Sequence, residues 1–337
     1  MEASVKLSQK TLFLLFVGLL LLVFFLLTMS DLKVVAEHIV LAKKPVYGLA
    51  FLFLVIGVIF YTASWYVITK TVKLNLNFNF ALAATWSSIF FNLVTPTASL
   101  GGEVARIYFV NRKNGADYGT ITATVFLHRI ACTVPFLTGS MIGLLYIASF
   151  YEVSPILFKG LVAASTFTFA SLLFILLLCI KPEIISRLTF KLTRFLIGKW
   201  KKLESIVRML EDVILRFEGS LKVLMGKKRT LMASIGLAFT SWIFDVTVAY
   251  FVFLSLNYPL SLPVIIFVYT IGMTIQMLPV GIPGMVGVVE SVMATLYTVM
   301  GVPPNLSIAA TLMIRVVILW FQVLLGGFFT FLLQKTL

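Results

Sequence analysis

The chain has 337 residues, of which 60% are hydrophobic and 12% are charged, and its mean hydropathy is +1.06. Soluble domains contain about 45 to 50% apolar and about 25% charged residues, so this composition excludes an ordinary soluble globular protein. The net charge of +14 therefore indicates basic loops beside anionic lipid head groups, and we expect no nucleic-acid partner.

The first predicted element is a span over residues 11–29, which is uncharged and follows a stretch with two lysines. It is long enough to cross about 30 Å of hydrocarbon, and it lacks the small-residue cleavage site of a signal peptide. We predict a retained span with a cytoplasmic N-terminus, followed by an external loop over residues 30–45. Residues 1–45 thus precede the main body of the protein.

Residues 46–150 are predicted to form a first repeat. A long span is followed by a short apolar run at 80–94, a break rich in Pro and Gly at 95–102, and a second short helix at 103–113. Such residues interrupt helices, and backbone freed inside a membrane must be satisfied by protein or line a polar cavity. We therefore predict a broken re-entrant hairpin and then a full span over 120–150.

A linking span is predicted over residues 156–180 and a cytoplasmic segment over residues 181–229. The segment carries 13 Lys/Arg against 5 Asp/Glu, so the positive-inside rule places it in the cytoplasm. Its apolar spacing predicts a pair of amphipathic helices on the membrane surface. These helices either only join the two halves of the protein or dock a regulator or partner.

Residues 230–337 repeat the order of span, broken hairpin and span. The break lies near residues 279–287, between short runs at 264–278 and 286–300, and the last span covers 307–333. Short, Gly/Pro-interrupted segments at matching places in two halves indicate a transport site.

The two repeats are predicted to be inverted, because a single span separates them. The first hairpin then opens to the cytoplasm and the second to the outside, with a cytoplasmic C-terminus. Reading the first hairpin as one kinked span would place the basic segment outside, which the positive-inside rule disfavours. We predict a single all-α polytopic membrane domain with about six full spans and two re-entrant hairpins.

The predicted substrate site combines the two breaks with ionisable groups at membrane depth, which are costly and need a reason. Its members are Asn92, Thr95, Pro96, Gly101, Gly102, Glu103, Arg106, Arg129, Asp245, Pro279, Gly281, Pro283, Gly284, Gly287, Glu290 and Arg315. Half-helix N-termini present free N–H groups to an anion, and the planar fork of arginine suits phosphate. We expect Arg129 and Arg315 to converge there.

Three alternatives concern the charged residues. Glu103 precedes Arg129 by 26 residues and Glu290 precedes Arg315 by 25, so both pairs can also be ion pairs that only fix helix register. Asp245 either pairs with one of these arginines or couples transport to protons. His128 is either a packed histidine or a proton relay. Asn92 is the polar residue best placed to contact a substrate.

The residues of the two breaks resemble a known family. Asn92-Leu-Val-Thr-Pro96 through Gly101-Gly-Glu-Val-Ala-Arg106, with Leu278-Pro-Val-Gly-Ile-Pro-Gly-Met-Val-Gly287 and Glu290, is similar to the membrane region of lysylphosphatidylglycerol synthases. This flippase-like family includes many stand-alone membrane proteins, and it more often has a glycine in place of Met285. The resemblance implies a lipid-translocating module. Because the sequence shows no aminoacyl-transferring domain, we expect no aminoacylation of lipid.

Two transport functions are open at this stage. One is translocation, by a flippase or scramblase, of an anionic phospholipid or a polyprenyl-phosphate-linked lipid across the cytoplasmic membrane. The other is proton-coupled transport of a small anion through Glu103, Asp245 or Glu290. A purely structural or assembly role is a further alternative. The expected partners are membrane lipids, with a second copy of the chain or a separate lipid-modifying enzyme as additional possibilities.

Enzymatic activity is not expected from this sequence. It contains two histidines, His38 and His128, no metalloprotease motif, no apparent Ser-His-Asp grouping and no nucleotide-binding loop. We therefore expect neither a cofactor nor a metal.

Overall fold

The computed structural model describes residues 9–97, 100–150, 204–276 and 281–337, together with isolated positions between 155 and 183. Secondary structure in these ranges is helical throughout. Four helices in them are long and apolar enough to cross a membrane, and a bent pair is a fifth candidate: Lys44–Thr71, Tyr118–Phe150, Lys228–Ser255, Pro304–Thr336, and Phe13–Met29 with Leu32–Leu41. The predicted all-α polytopic fold is confirmed. The predicted linking span, residues 156–180, lies largely outside the described ranges.

The chain begins with α1 (Gln9–Met29), which is followed after a bend of 98° by α2 (Leu32–Leu41). Most of the predicted external loop over residues 30–45 is therefore helical, and its external position stays a prediction. Asp31 accepts hydrogen bonds from the N–H groups of Lys33 and Val34, and this N-cap stabilises the first turn of α2. The side chain of Asn305 accepts a bond from the N–H of Asp31, which attaches α2 to the last long helix.

The first repeat contains four helices, and the predicted break is present. They are α3 (Lys44–Thr71), α4 (Phe78–Val94), α5 (Gly101–Asn114) and α6 (Tyr118–Phe150). The half-helix α4 begins with Asn77, whose side chain caps the N–H of Phe80. The half-helix α5 ends at Gly115 with φ of 67°, a left-handed conformation that glycine adopts without penalty.

The helix α7 (Glu204–Met225) is the described part of the predicted cytoplasmic pair; nearly all of residues 181–203 lies outside the described ranges. The apolar side of α7 packs along the beginning of α6. Leu221 and Leu224 of α7 are fully buried in this contact. The side chains of Thr120 and Ser220 are joined by a hydrogen bond of 2.9 Å. This half of the pair is thus part of the helix bundle, which goes beyond the predicted surface location.

The second repeat has the same order of elements as the first. It consists of α8 (Lys228–Ser255), α9 (Leu262–Gln276), a 3₁₀ turn (Pro283–Met285), α10 (Val288–Val299) and α11 (Pro304–Thr336). Helix α11 contains a π-helical turn over Val316–Phe321. The first spans of the repeats both have 28 residues, and the last spans both have 33. The predicted repeat is therefore present in the fold.

The first spans of the two repeats run antiparallel over their whole length. At one end the N–H of Lys43, just before α3, donates to the carbonyl of Ser255 at the end of α8, at 2.8 Å. At the other end Thr71 of α3 contacts Thr230 of α8 through their hydroxyls, at 3.1 Å. Equivalent helices that point in opposite directions are the arrangement that inverted repeats require.

The last span of each repeat packs on the hairpin of the other repeat. A Cβ on Gly139 of α6 would lie 2.8 Å from the hydroxyl of Thr270 in α9, and a Cβ on Gly326 of α11 would lie 2.6 Å from the carbonyl of Trp86 in α4. Thr270 and Trp86 are each the ninth residue of their half-helix. The small residues permit close helix approach, and the exchange of partners gives the bundle a pseudo-two-fold relation.

Basic residues collect at the end of the bundle where α3 ends and α8 begins. The group comprises Lys70, Lys73, Arg112, Lys113, Lys227, Lys228, Arg229 and Lys335. The guanidinium Nε of Arg112 donates to the carbonyl of Leu337 at 3.5 Å, so the C-terminus lies at this end as well. We call this surface the basic end.

Candidate functional site

A cavity of about 170 Å³ lies between the two repeats. Every long span of the two repeats and three of the four half-helices contribute to its wall. Its polar and charged lining residues are Tyr61, Asn92, Glu103, Arg129, Cys132, Thr133, Ser241, Asp245, Tyr269, Gln276 and Gln322. The first half-helices α4 and α9 both reach it through their last turns, which is the meeting of the two hairpins that inverted repeats predict.

The Glu103–Arg129 pair forms one side of the cavity. The Oε1 atom of Glu103 lies 2.5 Å from the NH1 atom of Arg129, and the side chains are 16% and 34% exposed. The other carboxylate oxygen of Glu103 is buried without a hydrogen-bond partner in the part of the chain that the structure describes. The ion pair considered from the sequence is confirmed, and it faces the cavity.

The N-terminus of α5 is capped by side chains of its own hairpin. The N–H of Gly101 donates to the hydroxyl of Thr97 at 2.8 Å, and the N–H of Gly102 donates to the amide oxygen of Asn92 at 2.7 Å. Thr95 in turn donates to the carbonyl of Phe91 at 2.5 Å. The prediction that these two N–H groups bind an anion is therefore not met, because both already donate to side chains. Asn92 lines the cavity and also caps α5.

Close packing explains the paired glycines of the first break. A Cβ on Gly102 would lie 2.6 Å from the side-chain carbon of Asn92, and a Cβ on Gly101 would lie 2.8 Å from the hydroxyl of Thr97. Pro96 lies half-buried in the same turn. The glycines let α5 begin directly against the end of α4, which brings Glu103 to the cavity.

The Glu290–Arg315 pair is fully enclosed. The carboxylate of Glu290 accepts from the Nε of Arg315 at 2.6 Å and from the N–H of Gly287 at 2.7 Å. Arg315 also donates to the side-chain oxygen of Gln276 at 2.7 Å and to the carbonyl of Gly284 at 2.5 Å. The side chains of the pair are 5% and 2% exposed.

Through these bonds Arg315 connects the helices on both sides of the second break and the turn between them. It does not line the cavity that the structure describes, and it approaches the cavity only through Gln276. The prediction that Arg315 and Arg129 converge on one phosphate is therefore not met in this structure. For Arg315, the alternative of an ion pair that fixes the helices matches the geometry.

Positive φ angles at three glycines shape the second break. Gly281, Gly284 and Gly287 have φ of 84°, 58° and 84°, conformations that side chains disfavour. Pro283 begins the 3₁₀ turn between them. Met285, where the resembling family more often has glycine, also has a positive φ of 49°, which costs on the order of 1–2 kcal/mol in backbone strain. Pro279 lies outside the described residues.

Arg106 lies behind the cavity wall in a buried polar cluster. Its guanidinium contacts His128 Nδ1 and donates to the Ser88 hydroxyl, both at 3.2 Å, and lies 4.6 Å from the centre of the Trp65 ring. The Nε2 atom of His128 contacts the carbonyl of Tyr61 at 3.1 Å. Arg106 thus does not line the cavity, and the contacts of His128 match the packed histidine of the two alternatives.

Asp245 lines the cavity from the middle of α8. A Cβ on Gly57 of α3 would lie 3.1 Å from its Oδ1 atom, so the carboxylate rests against the backbone of the opposite span. Within the described ranges it has neither a hydrogen bond nor an ion pair. The predicted pairing of Asp245 with Arg129 or Arg315 is therefore not made.

Several cavity residues were not predicted from the sequence. Cys132 and Thr133 follow Arg129 by about one helical turn, and this spacing would have placed them on its face. Tyr61, Trp242 and Tyr269 also line the cavity. These three lie in apolar runs where an aromatic residue is ordinary, so nothing in the sequence singles them out.

Fold and site together define a multi-pass α-helical membrane protein in which two inverted repeats enclose a charged cavity between broken hairpins. The chain belongs to the family described as the lysylphosphatidylglycerol synthase TM region, whose model matches residues 11–326. The family resemblance predicted from the two breaks is confirmed.

Archaeal relatives support this assignment. A UPF0104 membrane protein of Pyrococcus horikoshii is 26% identical over 289 residues, covering 83% of this chain and 84% of the relative. UPF0104 membrane proteins of Methanothermobacter thermautotrophicus and Methanocaldococcus jannaschii are 24% and 25% identical, covering 77% and 82% of each chain. The family and its relatives fit a lipid-related or transport role in a membrane, and their names indicate no catalytic activity.

Proposed function

We propose that this protein translocates an anionic lipid, a phospholipid or a polyprenyl-phosphate-linked lipid, across the cytoplasmic membrane as a flippase or scramblase. The observation that carries the proposal is the partly exposed Arg129, paired with Glu103, in a cavity between inverted repeats. Membrane lipids are accordingly its partners. The proposed cycle binds the lipid phosphate at Arg129 on one side and releases it on the other.

Arg129 suits a phosphate ester for chemical reasons. Its guanidinium stays charged when it is removed from water and donates parallel hydrogen bonds that match phosphate oxygens. Glu103 holds the cation while the cavity is empty, because an unpaired charge at membrane depth is costly. The phosphate then competes with the Glu103 carboxylate for the same donors.

The dimensions of the cavity favour a head group over a whole lipid. Its volume of about 170 Å³ is below the roughly 300–1,000 Å³ of pockets that enclose drug-sized ligands. The chains of the lipid therefore remain in the bilayer. Leu100, Val104 and Tyr108 form an exposed apolar stripe on α5 beside Glu103, and this stripe is our proposed path for the chains.

The distribution of charge supports one orientation in the membrane. Loops rich in Lys and Arg remain on the cytoplasmic side, so we place the basic end in the cytoplasm. The C-terminus lies at that end, and α1 runs from it toward the opposite end, where α2 lies. Both termini are cytoplasmic in this proposal, and the first hairpin opens to the cytoplasm.

Transbilayer movement in proteoliposomes tests the proposal. Vesicles with the wild-type chain, the Arg129→Gln variant or the Arg112→Gln variant receive fluorescent phosphatidylglycerol and labelled polyprenyl phosphate. Arg112 lies at the basic end and serves as the matched control. We expect the wild type and Arg112→Gln to move at least one lipid, and Arg129→Gln to lose that movement. Equal rates in all three preparations and in protein-free vesicles would refute the proposal.

A second candidate function is proton-coupled transport of a small anion. It is favoured by Asp245, a carboxylate in the cavity without an ion pair or hydrogen bond among the described residues. Uptake of a water-soluble anion that follows an imposed pH gradient, and that Asp245→Asn uncouples from the gradient, would support this function over lipid translocation.

A further inference from the structure

Two equivalent Glu–Arg pairs have different surroundings in this structure. Glu103 and Glu290 are both the third residue of their half-helix, after the N-caps Leu100 and Gly287. Each carboxylate binds the arginine of the following span, at 2.5 Å in the first repeat and 2.6 Å in the second. The first pair is open to the cavity, and the second pair is sealed.

The carboxylate of Glu290 makes a contact that the carboxylate of Glu103 does not make with the described residues. Glu290 caps its own helix by accepting from the N–H of Gly287, the reciprocal bond of a capping box. The corresponding oxygen of Glu103 is buried, and the described residues offer it no partner. A buried oxygen without a hydrogen bond is destabilising. The N–H of Leu100 occupies the position of the donor that would satisfy it, and in this structure it donates to the carbonyl of Thr97 at 3.0 Å.

The amide side chains preceding the two breaks also differ in their use. Asn92 and Gln276 are each the fifteenth residue of their half-helix. Gln276 accepts a bond from the guanidinium of Arg315 at 2.7 Å, whereas Asn92 accepts from the N–H of Gly102. Asparagine is one methylene shorter than glutamine. We infer that Asn92 therefore caps α5 of the first hairpin, where Gln276 of the second hairpin extends to its arginine.

Both arginines are followed by an irregular helix. Helix α6 contains Pro135 six residues after Arg129, and α11 contains the π-helical turn Val316–Phe321 directly after Arg315. Proline removes a backbone hydrogen bond from a helix, and π turns are frequent at functional sites. Each long span can therefore bend just beyond its arginine without a change in its packed ends.

We propose that the two Glu–Arg pairs are alternating gates. In the second state the Glu103–Arg129 pair takes the sealed arrangement now seen at Glu290–Arg315, and the Glu290–Arg315 pair opens to the cavity. Residue by residue, Arg129 then donates to the side chain of Asn92, which gives up its bond from Gly102. Glu103 then accepts from the N–H of Leu100 in place of the Thr97 carbonyl. The proposal rests on the proposed transport function, because the exchange moves the opening of the cavity from one side of the membrane to the other.

The two amide side chains supply a matched pair of variants. Asn92→Gln gives the first hairpin the longer side chain of the sealed one, and we expect it to favour the sealed state of the first gate. Gln276→Asn shortens the side chain that holds Arg315, and we expect it to favour the open state of the second gate. The two changes are chemically reciprocal, so a general loss of packing would not shift accessibility in opposite directions.

Thiol labelling from each side of the membrane measures this exchange. The reporter is Thr133→Cys, in the cavity wall, in a background with Cys132→Ser and Cys179→Ser. A membrane-impermeant maleimide is added to one face of sealed vesicles of known orientation. We expect Asn92→Gln to slow labelling from the face that is fast with the parent, and Gln276→Asn to accelerate it from the other face. Each change is about tenfold, which corresponds to about 1.4 kcal/mol.

The results separate the gates from the proposed function. Labelling rates that change less than twofold in both folded variants would overturn the gates, even where lipid movement is normal. Opposite shifts in labelling without lipid movement in any variant would support the gates and refute lipid translocation. A variant that elutes as aggregate from size exclusion is replaced by its partner. Either variant alone predicts a shift, Asn92→Gln at the face that labels fast in the parent and Gln276→Asn at the opposite face.

Discussion

Gly18 of α1 and Gly287 at the start of α10 lie in backbone contact. A Cβ on Gly18 would lie 2.7 Å from the carbonyl oxygen of Val286, and a Cβ on Gly287 would lie 3.0 Å from the backbone nitrogen of Leu22. The first span therefore crosses directly over the second break. This contact joins α1 to the second repeat. Helix α1 thus packs against the hairpin that contains Glu290 of the sealed pair.

Substitution at Gly18 is expected to loosen this crossing. Gly18→Ala places a methyl group against the backbone of the break, where it cannot rotate away, and overpacking of this kind costs about 1–3 kcal/mol. Thermal unfolding in detergent should show a lower midpoint. Gly236→Ala, in α8 with nothing within 4 Å of the added carbon, is the control and should leave the midpoint unchanged or raise it.

The two arginines are expected to differ in what they contribute to stability. Arg315→Gln leaves the Glu290 carboxylate buried without its cation, a loss of about 3–5 kcal/mol. Arg129→Gln affects a pair that is partly exposed, and it should cost clearly less. Denaturation of both variants in the same detergent checks the order. Equal losses would contradict the structural role that we assign to Arg315.

Asp245→Asn is expected to leave stability unchanged or raise it. The carboxylate has no hydrogen bond or ion pair among the described residues, and an amide is less costly than a charge to remove from water. Glu290→Gln is the matched comparison, since that carboxylate accepts bonds from both Gly287 and Arg315. The unfolding midpoint should fall for Glu290→Gln alone. A fall for Asp245→Asn would reveal a structural partner.

The buried Arg106 cluster is expected to be replaceable by the apolar residues of the other repeat. Met293 and Ile314 stand in the second repeat where Arg106 and His128 stand in the first, and both are buried. Buried charged groups exchanged for apolar residues of similar volume are often neutral or stabilising by about 1–4 kcal/mol. The double variant Arg106→Met, His128→Ile should unfold at the wild-type temperature or above. Arg106→Met alone leaves the buried Nδ1 atom of His128 without its contact to the guanidinium, and it should be the less stable variant.

The sequence predicts most of the fold, because lipid imposes simple rules of length and polarity. The half-helix of residues 80–94 is observed as Phe78–Val94, and the run at 264–278 as Leu262–Gln276. Helix α2 was missed although Asp31 is a good N-cap, because its ten residues are too few to cross a membrane and lie between two predicted spans. The close crossing at Gly18 depends on tertiary packing, which hydropathy does not contain.

The sequence predicts the candidate site less well than the fold. The Glu–Arg spacing identified both ion pairs, because a buried charge requires a partner. Spacing alone does not distinguish Arg129 from Arg315, which follow similar patterns in equivalent helices. Their difference arises where Gln276 reaches Arg315 while the shorter Asn92 caps Gly102. Whether such an amide oxygen accepts from a guanidinium or from a backbone N–H depends on distances that the sequence does not contain.

The requirement for a lipid phosphate tests the central claim most directly. Fluorescent phosphatidylglycerol and fluorescent diacylglycerol with the same chains are compared in proteoliposomes of the wild-type protein and of Arg129→Gln, with transbilayer movement measured by dithionite quenching after correction for protein-free vesicles. We predict that the wild type accelerates phosphatidylglycerol but not diacylglycerol, and that Arg129→Gln removes this difference. Equal acceleration of both lipids by the wild type, unaltered in Arg129→Gln, would contradict phosphate recognition at Arg129.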